Sequence, residues 1–243
     1  MQLCIDIGNS RLKYGLFDGT ELLLHGADER QAPFVIKELF EDHPQIGSVI
    51  ISSVSDEVDA ELVPIPETIH HVILDWETPV PIKSLYSSPE TLGHDRIALA
   101  VAGSEKFPNC NTLIIDIGTC MTMDLVDSSG TYHGGAISPG MELRFRSMHE
   151  GTSRLPLVDF ASKKLPDQIG KTTRECMESG VILGMAHEIR GTIKELNKEF
   201  EDLKVLLTGG QHHLFEVPLK NSIFADPNLV LRGLNHILLY NLP

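Results

Sequence analysis

The residues best suited to chemistry are four acids, Asp6, Asp95, Asp116 and Asp124, each read at or near a strand end or a helix start. Asp6 closes the apolar run Leu3-Cys4-Ile5 and leads into Ile7-Gly8-Asn9-Ser10. A glycine turn after a strand turns backbone N–H groups outward, and a concave set of them holds anions. A carboxylate beside such a cradle repels a phosphate unless a cation such as Mg²⁺ lies between them. The pattern returns 110 positions downstream, where LIIDIGTC spans 113–120. Asp95 lies in Gly93-His94-Asp95-Arg96, just before an apolar stretch from Ile97 to Gly103 with helical character. An acid there is stabilised by the helix dipole, and spacing alone leaves a helix cap and a catalytic carboxylate equally open. One carboxylate for Mg²⁺, one for a second cation and one to take a hydroxyl proton would equip a phosphoryl transfer, which asks mainly for positioning and charge neutralisation.

The elements that must position these acids read as an α/β alternation. Leu3 to Asp6, Arg11 to Phe17 and Glu21 to Leu24 form an antiparallel start with a turn at Asp18-Gly19. A helix over Ala32–Phe40, a strand over Ser48–Val54, a short helix over Asp56–Leu62 and a strand over His71–Leu74 follow. The irregular, proline-bearing segment 76–92 leads into the Asp95 helix; long ordered loops of this kind are commonly functional. Thr112–Asp116, Met121–Val126 and Thr131–Ile137 repeat the antiparallel start. The repeat predicts two copies of one α/β unit, 1–110 and 111–243, each presenting a D-x-G turn to a shared cleft. One long helix is expected over Thr173–Phe200, with Met177, Val181, Met185, Ile189, Ile193, Leu196 and Phe200 on its apolar face. Lys204–Leu207 reads as a strand and Asn228–Tyr240 as a closing helix. Gly134-Gly135, Ser138-Pro139-Gly140 and Gly209-Gly210 leave little side chain near the backbone, which suits turns or the close approach of a ligand or another strand.

Composition narrows the function. The chain has 243 residues, 42% hydrophobic and 22% charged, enough for a substantial core. A formal net charge of −14 argues against a general nucleic-acid binder. An anionic small substrate remains compatible if the site brings its own cations or backbone dipoles. No apolar stretch reaches transmembrane length, and Asp6 interrupts any secretory leader at once. Cys4, Cys110, Cys120 and Cys176 show no C-x-x-C spacing, so neither a zinc site nor a disulfide framework is indicated and a reduced, cytoplasmic protein is expected. Ile169-Gly170-Lys171-Thr172 imitates the end of a P-loop, but Leu165 stands where the motif needs glycine. His70-His71 and His212-His213 lack metal-ligand spacing and read as surface histidines.

Six motifs occur in one order: DIGNS at 6–10, GHDR at 93–96, DIGTCMTMD at 116–124, GGAISPG at 134–140, TSRLP at 152–156 and GKTTRECMESG at 170–180. Together they resemble type III pantothenate kinase. The resemblance implies the duplicated ribonuclease H-like, actin-like ATPase fold, with a cleft between the two domains. It further implies ATP-dependent phosphorylation of the primary hydroxyl of pantothenate, the first step of coenzyme A synthesis, by a homodimer needing K⁺ or NH₄⁺ besides Mg²⁺ with ATP. By position, Asp6, Ile7, Gly8, Asn9, Ser10, Arg11, Leu12 and Lys13 would form the ATP phosphate loop, Asp6 lying near Mg²⁺, and Thr119 would also contact ATP. Asp95 would be the general base. Tyr86, Gly93, His94, Asp95, Arg96 and Thr173 would bind pantothenate, and Asp116 the monovalent cation. Met121 stands where the family often has Thr, which would cost a hydroxyl near the phosphates, and Thr172 stands where Asn is frequent. A non-catalytic transcription accessory factor on the same scaffold is the alternative; the acidic composition and the intact Asp6, Asp95 and Asp116 weigh against it.

Overall fold

A computed structural model describes residues 1–8, 11–28, 32–53, 63, 65–66, 68–162, 164–215 and 223–243. Its sheets follow from the alternation of apolar and turn-forming runs. β1 (Gln2–Ile7), β2 (Leu12–Asp18) and β3 (Glu21–Asp28) make an antiparallel meander. After helix α1 (Ala32–Asp42), β4 (Ser48–Ser53) returns parallel to β1, and β5 (His70–Ile73) lies parallel to β4. The order is β3-β2-β1-β4-β5. The short helix expected over 56–62 falls outside the described residues.

The second sheet repeats this plan. β6 is the two-residue strand Lys83–Ser84, and α2 spans His94–Lys106. β7 (Thr112–Ile117) pairs antiparallel with β8 (Cys120–Val126), and β9 (Thr131–Pro139) lies beside β8. β10 (Lys204–Thr208) returns parallel to β7, and β11 (Ile223–Ala225) parallel to β10. The order β9-β8-β7-β10-β11 matches β3-β2-β1-β4-β5 strand for strand, so the duplication read from the two D-x-G turns is present in the topology.

Two compact units result. The first comprises Met1–Pro108, Gly130–His133 and Asn228–Pro243; the second comprises Asn109–Ser129 and Gly134–Pro227. This departs from a simple division at residue 110, because the closing helix α6 (Leu229–Tyr240) belongs with the first unit. The reason is packing: α6 lies along α2 and over β1, β2 and β4, burying Leu229, Val230, Leu231, Leu234, Ile237 and Leu238. Gly233 lets the two helices meet, since a Cβ there would lie 1.8 Å from the Ala98 carbonyl oxygen. The other side of the first sheet buries Leu3, Ile5, Leu16, Val49 and Ile51 against Ile36 and Leu39 of α1.

In the second unit Leu113, Ile115, Ile117, Met121, Met123, Val205 and Leu207 face the helices. α3 (Met141–Glu150) contributes Met141 and Phe145. The long helix expected over 173–200 is three pieces: α4 (Thr173–Glu178), a π-helical turn (Ser179–Leu183) and α5 (Gly184–Leu196). All seven anticipated apolar residues reach the core, and the wide turn brings in Ile182 and Ala186 as well. Gly180 and Gly184 stand in and just after that turn with open space around the position of a Cβ. No described helix is long and apolar enough to cross a membrane.

Candidate active site

In the first unit the register of β1 fixes the surroundings of Asp6. It stands opposite Lys13 on β2 and Ser52 on β4. Its carboxyl is buried and hydrogen-bonded to Ser52. Burial pushes its pKa up to about 6; Asp95 adds to the rise, while the Lys13 charge and the Ser52 hydrogen bond pull against it. The Lys13 charge thus offsets only part of the cost of burying this carboxyl. The turn beyond it is closed by Gly8 N donating to Arg11 O at 3.0 Å. Leu12 is buried, Ile7, Gly8 and Lys13 are half-buried and Arg11 is exposed. Asn9 and Ser10 lie outside the described residues.

The start of α2 brings the second acid to the first. Gly93 is the N-cap residue and offers no side chain to the orphan amides of the helix. Asp95 Oδ1 accepts from Arg96 N at 2.8 Å, so the helix end holds the carboxylate in place. A Cβ on Gly93 would lie 2.6 Å from that oxygen, which glycine alone avoids. His94 Nδ1 donates to Ser53 O at 3.0 Å, tying α2 to the end of β4 one residue past Ser52. The charge of Asp95 is felt at Asp6, so Asp6, Lys13, Ser52, His94 and Asp95 form one constellation.

Arg96 is buried, its Cζ 5.7 Å from the centroid of the Tyr86 ring. Tyr86 in turn stacks on the fully buried Tyr132, with centroids 6.1 Å apart and planes 25° from parallel. Leu85 N donates to Tyr132 O at 2.9 Å, so the backbone just before Tyr86 is pinned to β9. A guanidinium against an aromatic face is held by cation–π attraction, and its planar fork is of the kind that pairs with carboxylates.

In the second unit Asp116 occupies the place that Asp6 holds in the first. It stands opposite Thr122 on β8 and Thr208 on β10, and its Oδ1 is buried. Gly209, at φ +89, lies against it; a Cβ there would come within 2.3 Å of Oδ1. Thr119 is exposed in the following turn, where Gly118 N donates to Cys120 O at 3.0 Å. Gly140 N donates to Thr119 O at 2.9 Å, and a Cβ on Gly140 would lie 2.1 Å from Gly118 O. Gly140 and Gly209 thus serve close approach of backbone to the Asp116 strand and turn, while Gly135 serves close approach of β9 to Met123 on β8.

Thr173 is the first residue of α4 and is exposed. Thr172 before it is the N-cap, accepting from Glu175 N, while the Glu175 carboxylate accepts from Thr172 N and Lys171 N. Thr and Asn both cap helices well, so the departure at Thr172 keeps its local purpose. Met121 does not face Asp116 at all: it is fully buried in the apolar core. Asp124 lies inside β8, fully buried, and not at a strand end. Ser52, Thr122 and Thr208 escaped the sequence reading. For Thr122 the signal was present in Met121-Thr122-Met123-Asp124, whose period of two sets the polar pair on the face away from the methionines.

A family model for type III pantothenate kinase matches residues 2–195. A type III pantothenate kinase from Christiangramia forsetii is 43% identical over 249 residues, covering 99% of each chain. Among solved structures, a conserved Campylobacter jejuni protein of the Baf family of transcriptional activators is 20% identical with a TM-score of 0.64, covering 98% of each chain. The ROK hexokinase of Thermus thermophilus is 14% identical with a TM-score of 0.52, covering 98% of this chain and 97% of its own. These two likenesses show the fold, the actin-like fold of sugar kinases. With its duplicated sheets and ordered motifs, the chain belongs to the type III pantothenate kinases.

Proposed function

We propose that this chain transfers the γ-phosphate of ATP to the primary hydroxyl of pantothenate, giving 4′-phosphopantothenate for coenzyme A synthesis, with Asp95 as general base. The observation that carries the assignment is the pairing of Asp95, held by the amide of Arg96, with the buried Asp6. A carboxylate is a weak base toward an alcohol in water. In a loose phosphoryl-transfer transition state the hydroxyl proton leaves late, so a positioned carboxylate is sufficient. Oδ1 of Asp95 is engaged by Arg96 N, and Oδ2 is the oxygen we assign to the substrate hydroxyl. Arg96, steadied by Tyr86, takes the pantothenate carboxylate, and Gly93, His94 and Thr173 complete the substrate contacts. Residues 6–13 and Thr119 take the ATP phosphates, with Lys13 contributing positive charge.

Mg²⁺ bound with ATP supplies the charge that lets Asp6 face phosphate, and the buried carboxyl with its raised pKa fits that role. Asp116, between Thr122 and Thr208, fits a monovalent cation, K⁺ or NH₄⁺. The enzyme works in the cytoplasm as a homodimer, which light scattering should read as twice 26.8 kDa.

The reaction is tested by ADP release with and without pantothenate, in potassium and in sodium. Turnover that needs both pantothenate and potassium is expected; no pantothenate-dependent release in either salt would sink the proposal. Asp95→Asn should fold and bind ATP yet lose turnover by about 10²–10⁴-fold. Near-normal turnover in that variant would remove Asp95 from the role of base.

A further inference from the structure

The strand registers allow the two copies of the α/β unit to be compared residue by residue. β1 and β7 are both six residues long with the acid fifth. Across the parallel pairing Asp6 meets Ser52 and Asp116 meets Thr208, a hydroxyl in each case. Across the antiparallel pairing Asp6 meets Lys13, whereas Asp116 meets Thr122. One copy therefore sets an ammonium opposite its acid, and the other sets a neutral hydroxyl in the same place.

Residues directly opposite in a ladder project from one face of the sheet. Thr208, Asp116 and Thr122 thus form a row of oxygen-bearing side chains, while Ile115, Met123 and Leu207 beside them face the apolar core. Thr122 is buried, 9% exposed, and its hydroxyl has no hydrogen-bond partner among the described residues. A buried hydroxyl left unmet is a cost that a ligand removes. Gly209 closes the row at Asp116 Oδ1, where any larger residue would intrude. A single carboxylate with two hydroxyls suits a singly charged ion of ammonium size; a divalent ion asks for more charge or several waters.

We infer that Thr122 is a ligand of the monovalent cation and that this ion sits where the first copy holds the Lys13 ammonium. The second copy has exchanged a tethered cation for a diffusible one. The inference rests on the assignment of the cation to Asp116, so the experiment treats the two separately.

Four variants, Thr122→Val, Thr122→Ser, Thr122→Lys and Asp116→Asn, are compared with the natural enzyme by two titrations of potassium chloride against choline chloride at constant ionic strength. One reads the melting temperature of the protein without substrates, the other the rate of ADP release. The natural enzyme should show saturable responses to potassium in both. Thr122→Val should need roughly tenfold or more potassium for half-saturation in both, and Thr122→Ser should restore the natural value. Thr122→Lys should turn over without potassium and lose the potassium response in melting. Where Thr122→Lys fails to fold, the Val and Ser pair decides. Unchanged half-saturation in Thr122→Val, with Asp116→Asn abolishing the response, would overturn the role of Thr122 and leave the Asp116 site standing. A response that survives Asp116→Asn would overturn both.

Discussion

Asp6 is a buried carboxyl near a second acid, and its titration has a readable sign. Its folded pKa of about 6 lies above the ordinary aspartate value, so the native state holds the proton more tightly than the unfolded chain does. The resulting stabilisation is complete below about pH 4 and is lost as pH rises through about 6, on the order of 3 kcal/mol in all. Urea unfolding of the protein without ATP should therefore show stability falling between pH 4.5 and 7, and Asp6→Asn should flatten that part of the profile. Parallel profiles for the two proteins would show that Asp6 does not titrate as described. At this scale the charged residues were legible in the sequence: Asp6, Lys13, Asp95, Arg96 and Asp116 stand beside turns or a helix start. Ser52 was hidden because SVIISS reads as one buried run, and only its register against Asp6 reveals its use.

Among elements, the contact of α2 with α6 sets the tightest demand. A methyl at Gly233 would meet the carbonyl of Ala98 at 1.8 Å, and backbone cannot yield as a side chain does. Gly233→Ala should cost about 3 kcal/mol or more in thermal or urea unfolding, since α2 must move outward to admit it. Gly191→Ala in α5 is the control: open space surrounds that site, and a gain of up to about 1 kcal/mol from helix propensity is expected. Equal effects at both sites would remove the close contact as the cause. Most elements were visible as periodicity, including the apolar face of the 173–200 region. The π turn was not, because steps of four from Met177 to Ile189 fit an unbroken helix, and the extra residue shows only in the burial of Ile182 and Ala186. β6 left no trace, being two exposed residues, Lys83 and Ser84, without alternation.

For the whole molecule, the duplication was legible because its two D-x-G turns are 110 positions apart and its strands recur in one order. The allocation of the closing helix was not. Leu229–Tyr240 announces an apolar face, but nothing local says which sheet it covers; that depends on Gly233 meeting Ala98, 135 positions away. A fragment of residues 1–110 should accordingly stay unfolded by circular dichroism, and supplying residues 228–243 through a flexible linker should restore cooperative unfolding. A fragment that folds cooperatively without the helix would make α6 an accessory. The same arrangement bears on synthesis. On the ribosome, the segments of the second unit are all in hand once residue 227 has emerged, whereas the first unit awaits residues 228–243. The half that is translated first is finished last, so the Asp6–Asp95 constellation gains its full packing only after the closing helix has emerged.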